Sequence, residues 1–313
     1  MAVETTTFSN NSADTWFRDI MSDCVLCPRA CHVNRLAGQT GYCGQTAELM
    51  AARASLHYWE EPCISGTSGS GTVFFSGCNL RCVFCQNHNI ALGKAGRVIA
   101  PEHLAEIFLQ LQEQGANNIN LVTPTHFLPQ IVIALEQAKQ QGLHLPIVYN
   151  TGSYESPEAL RHLEGLVDIY LPDLKYFSPE LSTAYSHAPD YFETACAAIS
   201  EMYRQVGDPV IDEDTGLMQH GMIVRHLLLP GQTKDSKKIL RYLHETYGDH
   251  IYISIMNQYT PLPQVADIEA LNRTVTPEEY NRVLRFAERI GIERGFRQEG
   301  TCLLYTSDAA DDK

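Results

Sequence analysis

The stretch GTVFFSGCNLRCVFCQN, residues 71–87, decides how this chain is read. Its first half is a run of β-branched and aromatic residues from Thr72 to Phe75, closed by Ser76 and Gly77. A short continuous apolar run bounded by glycine is the pattern of a strand buried on both faces. Its second half carries Cys78, Cys82 and Cys85 as C-x3-C-x2-C, with no fourth cysteine nearby to close the set. A buried strand therefore empties into a loop of three thiols.

Outward from that strand the pattern repeats. PEHLAEIFLQLQEQG puts Leu104, Ile107, Phe108 and Leu111 at helical spacing, with Pro101 at the start. NINLVT reads as strand, FLPQIVIALEQAKQQG as helix, PIVYNTG as strand, PEALRHLEGL as helix, VDIYLPDLKY as strand and FETACAAISEMYRQVG as helix. GMIVRHLLLPG, KDSKKILRYLHETYG, IYISIMNQY and TPEEYNRVLRFAERIG continue the alternation, the last with Thr276, Pro277 and Glu279 as a capping box. DPVIDEDTGLMQHG interrupts it as a surface hairpin or loop. About six strand–helix units in strict alternation predict an α/β fold, a parallel sheet with helices outside, open or curled into a barrel. In such folds chemistry gathers at the C-terminal strand ends. The polar groups placed there are Cys78, Thr123 and Thr125, Asn150 and Thr151, Asp173 and Lys175, Arg225 and His226, and Asn257 and Gln258.

Thiolates at this spacing hold soft metals or iron–sulfur clusters. Three of them leave one iron of a [4Fe–4S] cube without a protein ligand, and an open position is what a catalytic metal needs. Half of a zinc site completed elsewhere, or part of a closed ferredoxin-like cluster, are the alternatives on spacing alone.

The cysteine pattern, with Phe84 before the last cysteine, resembles the radical S-adenosylmethionine (SAM) enzymes. CVLCPRACHVNRLAGQTGYCG, GSGTVFFSGCNLRCVFCQN, NINLVTPTHFLPQI, YNTGSY, DIYLPDLKY and VRHLLLPG together resemble the PflX-like family, relatives of the pyruvate formate-lyase activating enzymes, over roughly residues 21–300. The resemblance implies a partial (β/α)6 TIM-like barrel. It also implies a [4Fe–4S] cluster on Cys78, Cys82 and Cys85, reductive cleavage of SAM to a 5′-deoxyadenosyl radical, and hydrogen abstraction. A flavodoxin- or ferredoxin-type electron donor and a glycyl-radical enzyme are the partners it implies. Phe84, Asn87, Thr123, Thr125, Asn150, Thr151, Asp173, Lys175 and Arg225 become candidates for the SAM pocket. The relatives carry Gly-Gly-Glu after the second strand, where this chain has Thr123-Pro124-Thr125-His126. Asp173 and Lys175 match the relatives' Asp-x-Lys. Arg225 reads either as an anchor for a carboxylate or as the partner of a buried acid. His226, on the opposite face of the strand, reads as packing.

A second group, Cys24, Cys27, Cys31 and Cys43, has the spacing C-x2-C-x3-C-x11-C. Four thiols from one short segment close a zinc site or hold a second iron–sulfur cluster, with His32 as a substitute donor. Cys196 reads as a small core residue and Cys63 carries no assigned role.

Composition agrees with a globular enzyme. The chain has 313 residues, 44% hydrophobic and 19% charged, and a net charge of −14 with no basic stripe, which argues against nucleic acid. No apolar run spans a membrane and no signal-peptide core opens the chain, so a cytoplasmic location is expected. Seven of the ten cysteines crowd into two windows, the usage of metal sites rather than disulfides. The expected organisation is a loose start over 1–20, a cysteine-rich segment over 21–65 and a radical SAM core over 66–300. CLLYTSDAADDK from Cys302 resembles translated sequencing adapter, so 301–313 is set apart as an artefact. The function expected is that of a radical SAM oxidoreductase, with glycyl-radical activation as one target. A small-molecule radical enzyme and a non-catalytic iron–sulfur or zinc electron carrier or scaffold are the rivals.

Overall fold

The computed structural model describes residues 12–297; the adapter-like stretch lies outside them. Ten strands run in chain order as β1 (Met50–His57), β2 (Ser70–Phe75), β3 (Arg97–Val98), β4 (Ile119–Val122), β5 (Ile147–Thr151), β6 (Ile169–Pro172), β7 (Val210–Ile211), β8 (Met218–Leu227), β9 (Tyr252–Met256) and β10 (Gly295–Arg297). The helices are α1 (Ser12–Ser22), α2 (Pro62–Ser65), α3 (His88–Ala91), α4 (Pro101–Glu113), α5 (Leu128–Gln140), α6 (Pro157–Leu160), α7 (Pro179–Ser186), α8 (Tyr191–Val206), α9 (Thr233–Tyr247) and α10 (Pro277–Ile290).

The sheet order is β10-β9-β8-β6-β5-β4-β2-β1-β3, with β7 paired to β8. From β2 to β10 every neighbouring pair in this order is parallel, and β1 and β3 close one edge in antiparallel pairing. The two edges do not pair among the described residues, so the barrel is partial. This is the α/β class expected from the alternation. β10 adds a seventh parallel strand beyond the six units, and it was too short to give a pattern. The interrupting stretch is the β7–β8 hairpin.

Two apolar layers hold the sheet. The larger lies between sheet and helices and includes Leu104, Phe108, Leu121, Leu135, Tyr149 and Ile199. The smaller lies inside the curved sheet, where Cys63 and Ile64 of α2 pack on Val148, Ile169, Leu171 and Ile223. Strands buried on both faces have no polar side to alternate, which is why they read as continuous apolar runs. Cys63 is thus part of a plug in the barrel.

Two stretches differ from the sequence reading. Of the loose start expected over 1–20, the described part is helix α1, whose Trp16, Phe17 and Ile20 pack on the core. The segment 21–65 is not set apart from the core. Its second half supplies β1, paired with β2 from Ala51↔Phe75 to His57↔Ser70, and then the α2 plug. The capping box at α10 forms as read: Glu279 N donates to Thr276 Oγ1 and Thr276 N to Glu279 Oε2.

Candidate functional site

Parallel register decides which side chains meet. Phe74 pairs with Val122, Val122 with Asn150, Asn150 with Leu171 and Thr151 with Pro172, while Asp173 bridges Arg225. The loops leaving these strands rim a cavity of about 320 Å³ lined by Cys78, Cys82, Cys85, Asn87, Thr123, Asn150, Thr151, Asp173, Lys175 and Arg225, all singled out from the sequence. A Cβ at Gly152 would lie 2.7 Å from Leu80 Cδ1, so a larger residue at this rim would push that side chain of the cysteine loop aside.

The three thiols are wired to the scaffold. Leu80 N donates to Cys78 Sγ at 3.4 Å and Ser186 Oγ to Cys82 Sγ at 3.0 Å; Ser186 Oγ also lies 2.7 Å from Tyr176 Oη. Burial pushes the Cys78 thiol up, and the Cys85 thiol up to about 12. Bare thiolates are therefore disfavoured here, and a metal would supply the positive charge that makes them ligands. Three such donors with no fourth cysteine on the wall fit a cluster with one open position. Among the described residues no three His, Cys, Asp or Glu side chains gather closely enough to chelate a single ion; each cysteine group lines a cavity wall instead.

The same cavity is lined by an ionic network. Arg225 donates from Nε to Asp173 Oδ1 at 2.8 Å, from Nη1 to Glu60 Oε2 at 2.9 Å and from Nη2 to Asn150 Oδ1 at 2.6 Å. Lys175 Nζ donates to Asp173 Oδ2 at 2.5 Å. Burial opposes the charge on Asp173, but the two cations beside it win and hold its carboxyl below the usual range. Glu60 has Arg225 alone, with Asp173 as a like charge, and its burial pushes its carboxyl up. All three nitrogen positions of Arg225 are engaged, so it serves here as the partner of buried acids rather than as an open carboxylate anchor.

Other candidates fall elsewhere. Phe84 packs edge-on against Tyr176, Tyr185 and Tyr259, away from the cavity wall. Thr125 is buried off the wall, its hydroxyl donating to Glu155 Oε1 at 2.6 Å. Thr151 lines the wall, but its hydroxyl also donates to Glu155. His226 is a satisfied core histidine, bonded to Leu174 O and Ser236 Oγ, each at 2.8 Å. His32 is surface-exposed with Nδ1 2.9 Å from Asp23. Cys24, Cys27, Cys31 and Cys43 line one small cavity with Arg35 and His126.

The sequence reading missed Glu60 and Glu155. Glu60 enters the barrel interior from the plug segment, and its adjacent acidic pair in WEEP was the one available signal. Glu155 is wholly buried and collects the hydroxyls of Thr125 and Thr151. Burial pushes its carboxyl up to about 7 against those donors. A folded pKa raised from 4.5 means the folded state binds the proton more tightly, so stability falls as pH rises from about 4.5 to about 7. The span corresponds to roughly 3 kcal/mol. Urea unfolding at pH 5 and pH 8 should show this loss in the wild type and not in Glu155→Gln. An equal slope in both would place its source elsewhere.

The chain is similar to several known proteins. The family model described as "Radical SAM superfamily" matches residues 72–243. An uncharacterized protein of Methanocaldococcus jannaschii is 27% identical over 286 residues, 88% of this chain and 77% of that protein. The pyruvate formate-lyase-activating enzyme of Clostridium pasteurianum is 29% identical over 121 residues, 36% of this chain and 48% of that enzyme. The crystal structure of methylornithine synthase superposes with a TM-score of 0.49 at 13% identity, covering 75% of this chain and 74% of that one. The matched span runs from the strand that delivers the cysteine loop, through the strands carrying Asn150, Asp173 and Arg225, into α9. The chain belongs to the Radical SAM superfamily.

Proposed function

We propose that this protein binds a [4Fe–4S] cluster through Cys78, Cys82 and Cys85, and SAM in the adjoining cavity, to start hydrogen abstraction. The observation that carries the reading is that the three cysteines line one cavity together with the Asp173–Lys175–Arg225–Glu60 network. The cluster, when bound and reduced, supplies the electron that splits SAM into methionine and a 5′-deoxyadenosyl radical. The chain's own residues bind, orient and shield. Lys175 and Asp173 offer a cation and an anion beside the cysteine loop, matching the charged amino-acid end of SAM. Leu80, Ile90, Val122 and Leu262 give the cavity apolar wall that limits water.

Thr123 is read as a SAM contact. It lines the cavity with φ +56°, a conformation unfavourable for a β-branched residue and found chiefly where function imposes it. Its N–H donates to Asn150 O at 2.9 Å, which fixes the loop backbone at the cavity wall. Thr123→Val keeps the shape and removes one hydrogen bond, so SAM affinity by equilibrium dialysis should fall about tenfold, on the order of 1.4 kcal/mol. Unchanged affinity would remove Thr123 from the pocket.

The substrate is read as a polypeptide, with a glycine of a glycyl-radical enzyme as the target and a flavodoxin- or ferredoxin-type protein as electron donor. Ligand cavities start at about 300 Å³, so one of about 320 Å³ is filled by the cofactors, and a substrate must meet them at the open rim. Trp59, 76% exposed, stands on that rim with Tyr58 beside it, aromatic groups of the kind that anchor a protein partner. The partial likeness to the clostridial activating enzyme supports the same target. The test is anaerobic reconstitution with iron and sulfide, reduction, addition of SAM, and assay of 5′-deoxyadenosine. Its formation supports the reading; an intact cluster without SAM binding or deoxyadenosine would move the chain to an electron-carrier role.

A further inference from the structure

We propose that the open edge of β1 captures an extended, acidic segment of the protein substrate as an added strand, and so brings its glycine into the SAM cavity from the side. The inference rests on the reading of a polypeptide substrate and names how that polypeptide is held. β3 pairs with β1 only at Met50↔Val98 and Ala51↔Arg97. On its other side β1 stays paired with β2 as far as His57↔Ser70. Residues 53–57 therefore have a sheet neighbour on one side only, and their free side borders the gap of the partial barrel.

The alternation of the ladder fixes which backbone groups are open. Gly71 N donates to Asn118 O beside β4, so Gly71 and Val73 turn their N–H and C=O toward β4. Ser70, Thr72 and Phe74 turn theirs toward β1, where they face His57, Ser55 and Arg53. Ala54 and Leu56 lie between these bonded residues and point their N–H and C=O groups outward, with no strand beside them among the described residues. Such a row is a template for a further strand.

Side chains alternate in the same register. Leu56 packs on the layer between sheet and helices. Arg53 and His57 face the other way and line the cavity, as do Phe74, the partner of Arg53, and Trp59 further along. A strand added beside residues 53–57 puts every second residue on that face, toward the cavity that also holds Cys78 and Lys175. A glycine in such a position presents its Cα hydrogens with no side chain in the way. Charge selects the segment. Arg53 and Arg97 are both exposed at this edge, in a chain of net charge −14. Arg53 Nε donates to Ser55 Oγ at 3.0 Å, and neither guanidinium meets a carboxylate among the described residues. An acidic strand complements these cations, while the acidic remainder of the surface repels it elsewhere.

The probe is the fluorescein-labelled peptide Thr-Asp-Val-Gly-Val-Asp-Thr, whose aspartates and glycine share one face of a strand. Anisotropy measures its binding to the full chain, and amide exchange by mass spectrometry follows residues 52–58. The expected result is binding with protection of 52–58, and no binding of the same peptide with lysine in place of aspartate. Ala54→Pro removes one outward N–H, a change an edge strand accepts because the ladder to β2 does not use that group. It should weaken peptide binding about tenfold or more and leave SAM affinity unchanged, since Ala54 does not line the cavity. No protection of 52–58 at millimolar peptide, or equal binding by Ala54→Pro or of the lysine peptide, would overturn the proposal. Protection that needs no peptide and grows with protein concentration would assign the edge to a second copy of the chain and overturn it too. If Ala54→Pro does not fold, the exchange of the wild type decides. Protein with Cys78, Cys82 and Cys85 all changed to alanine should bind the peptide as the wild type does, which tests the edge apart from SAM cleavage. Deoxyadenosine formation without peptide binding would leave the radical reading standing and remove this one.

Discussion

Cys82→Ala should abolish 5′-deoxyadenosine formation, with activity down by more than about 100-fold, the upper end of what losing a partner outside the ligand set costs a metal site. Cys82 is the middle thiol of the triplet and the one that accepts the Ser186 hydroxyl. The same variant should lose the iron held at the barrel mouth and keep whatever metal the N-terminal cysteines hold. Its thermal unfolding should stay close to wild type, because alanine loses only a small sulfur from a site at 8% exposure. Iron analysis, deoxyadenosine assay and melting on one preparation separate the outcomes. Activity retained with iron lost would sink the catalytic assignment. A collapsed melt would show that the thiol is structural. Ser186→Ala, which removes the hydroxyl bonded to both Cys82 Sγ and Tyr176 Oη, should give a fall of about 10- to 100-fold.

Arg225→Met should destabilise the fold by about 3–5 kcal/mol, because it strands buried carboxylates rather than removing an exposed charge. Glu60 and Asp173 are 11% and 17% exposed, and Arg225 is 13% exposed. Lys175 still neutralises Asp173, but Glu60 keeps only its hydrogen bonds from Asn120 and Asn150, at 3.3 and 3.4 Å. The loss should be larger at pH 8 than at pH 5. Without the guanidinium the folded-state pKa of Glu60 rises further, and a raised carboxyl loses stability as pH climbs through it. Urea titrations at the two pH values measure this. The double variant Arg225→Met/Glu60→Gln should recover part of the loss at pH 8. No recovery would mean that the cost is lost packing of the long side chain. Arg225→Lys should rescue little, since an ammonium cannot serve Asp173, Glu60 and Asn150 in three directions.

Much of the site was legible from spacing. Cys78, Cys82 and Cys85 are close in the chain and leave one strand, so they share a cavity wall wherever that strand goes. Asn150, Asp173 and Arg225 were legible one step further out, because parallel strands present their C-terminal ends together and register then places Asn150, Asp173 and Arg225 side by side. Phe84 and Thr125 lie off the cavity wall for a related reason. A residue next to a ligand or at a strand end is near the site in sequence, but the loop's turn decides which way its side chain points.

The sequence by itself determined the alternation of strand and helix, the parallel sheet and the two cysteine groups. These depend on period and short spacing, which are local properties of the chain. Only the tertiary structure decided the partners of the charges. Glu60 and Arg225 are 165 residues apart, and Asp173 and Arg225 are 52 apart. The folded sheet and the plug segment bring the first pair together. A buried polar group is satisfied by whatever the folded chain sets beside it, and local spacing does not specify that neighbour.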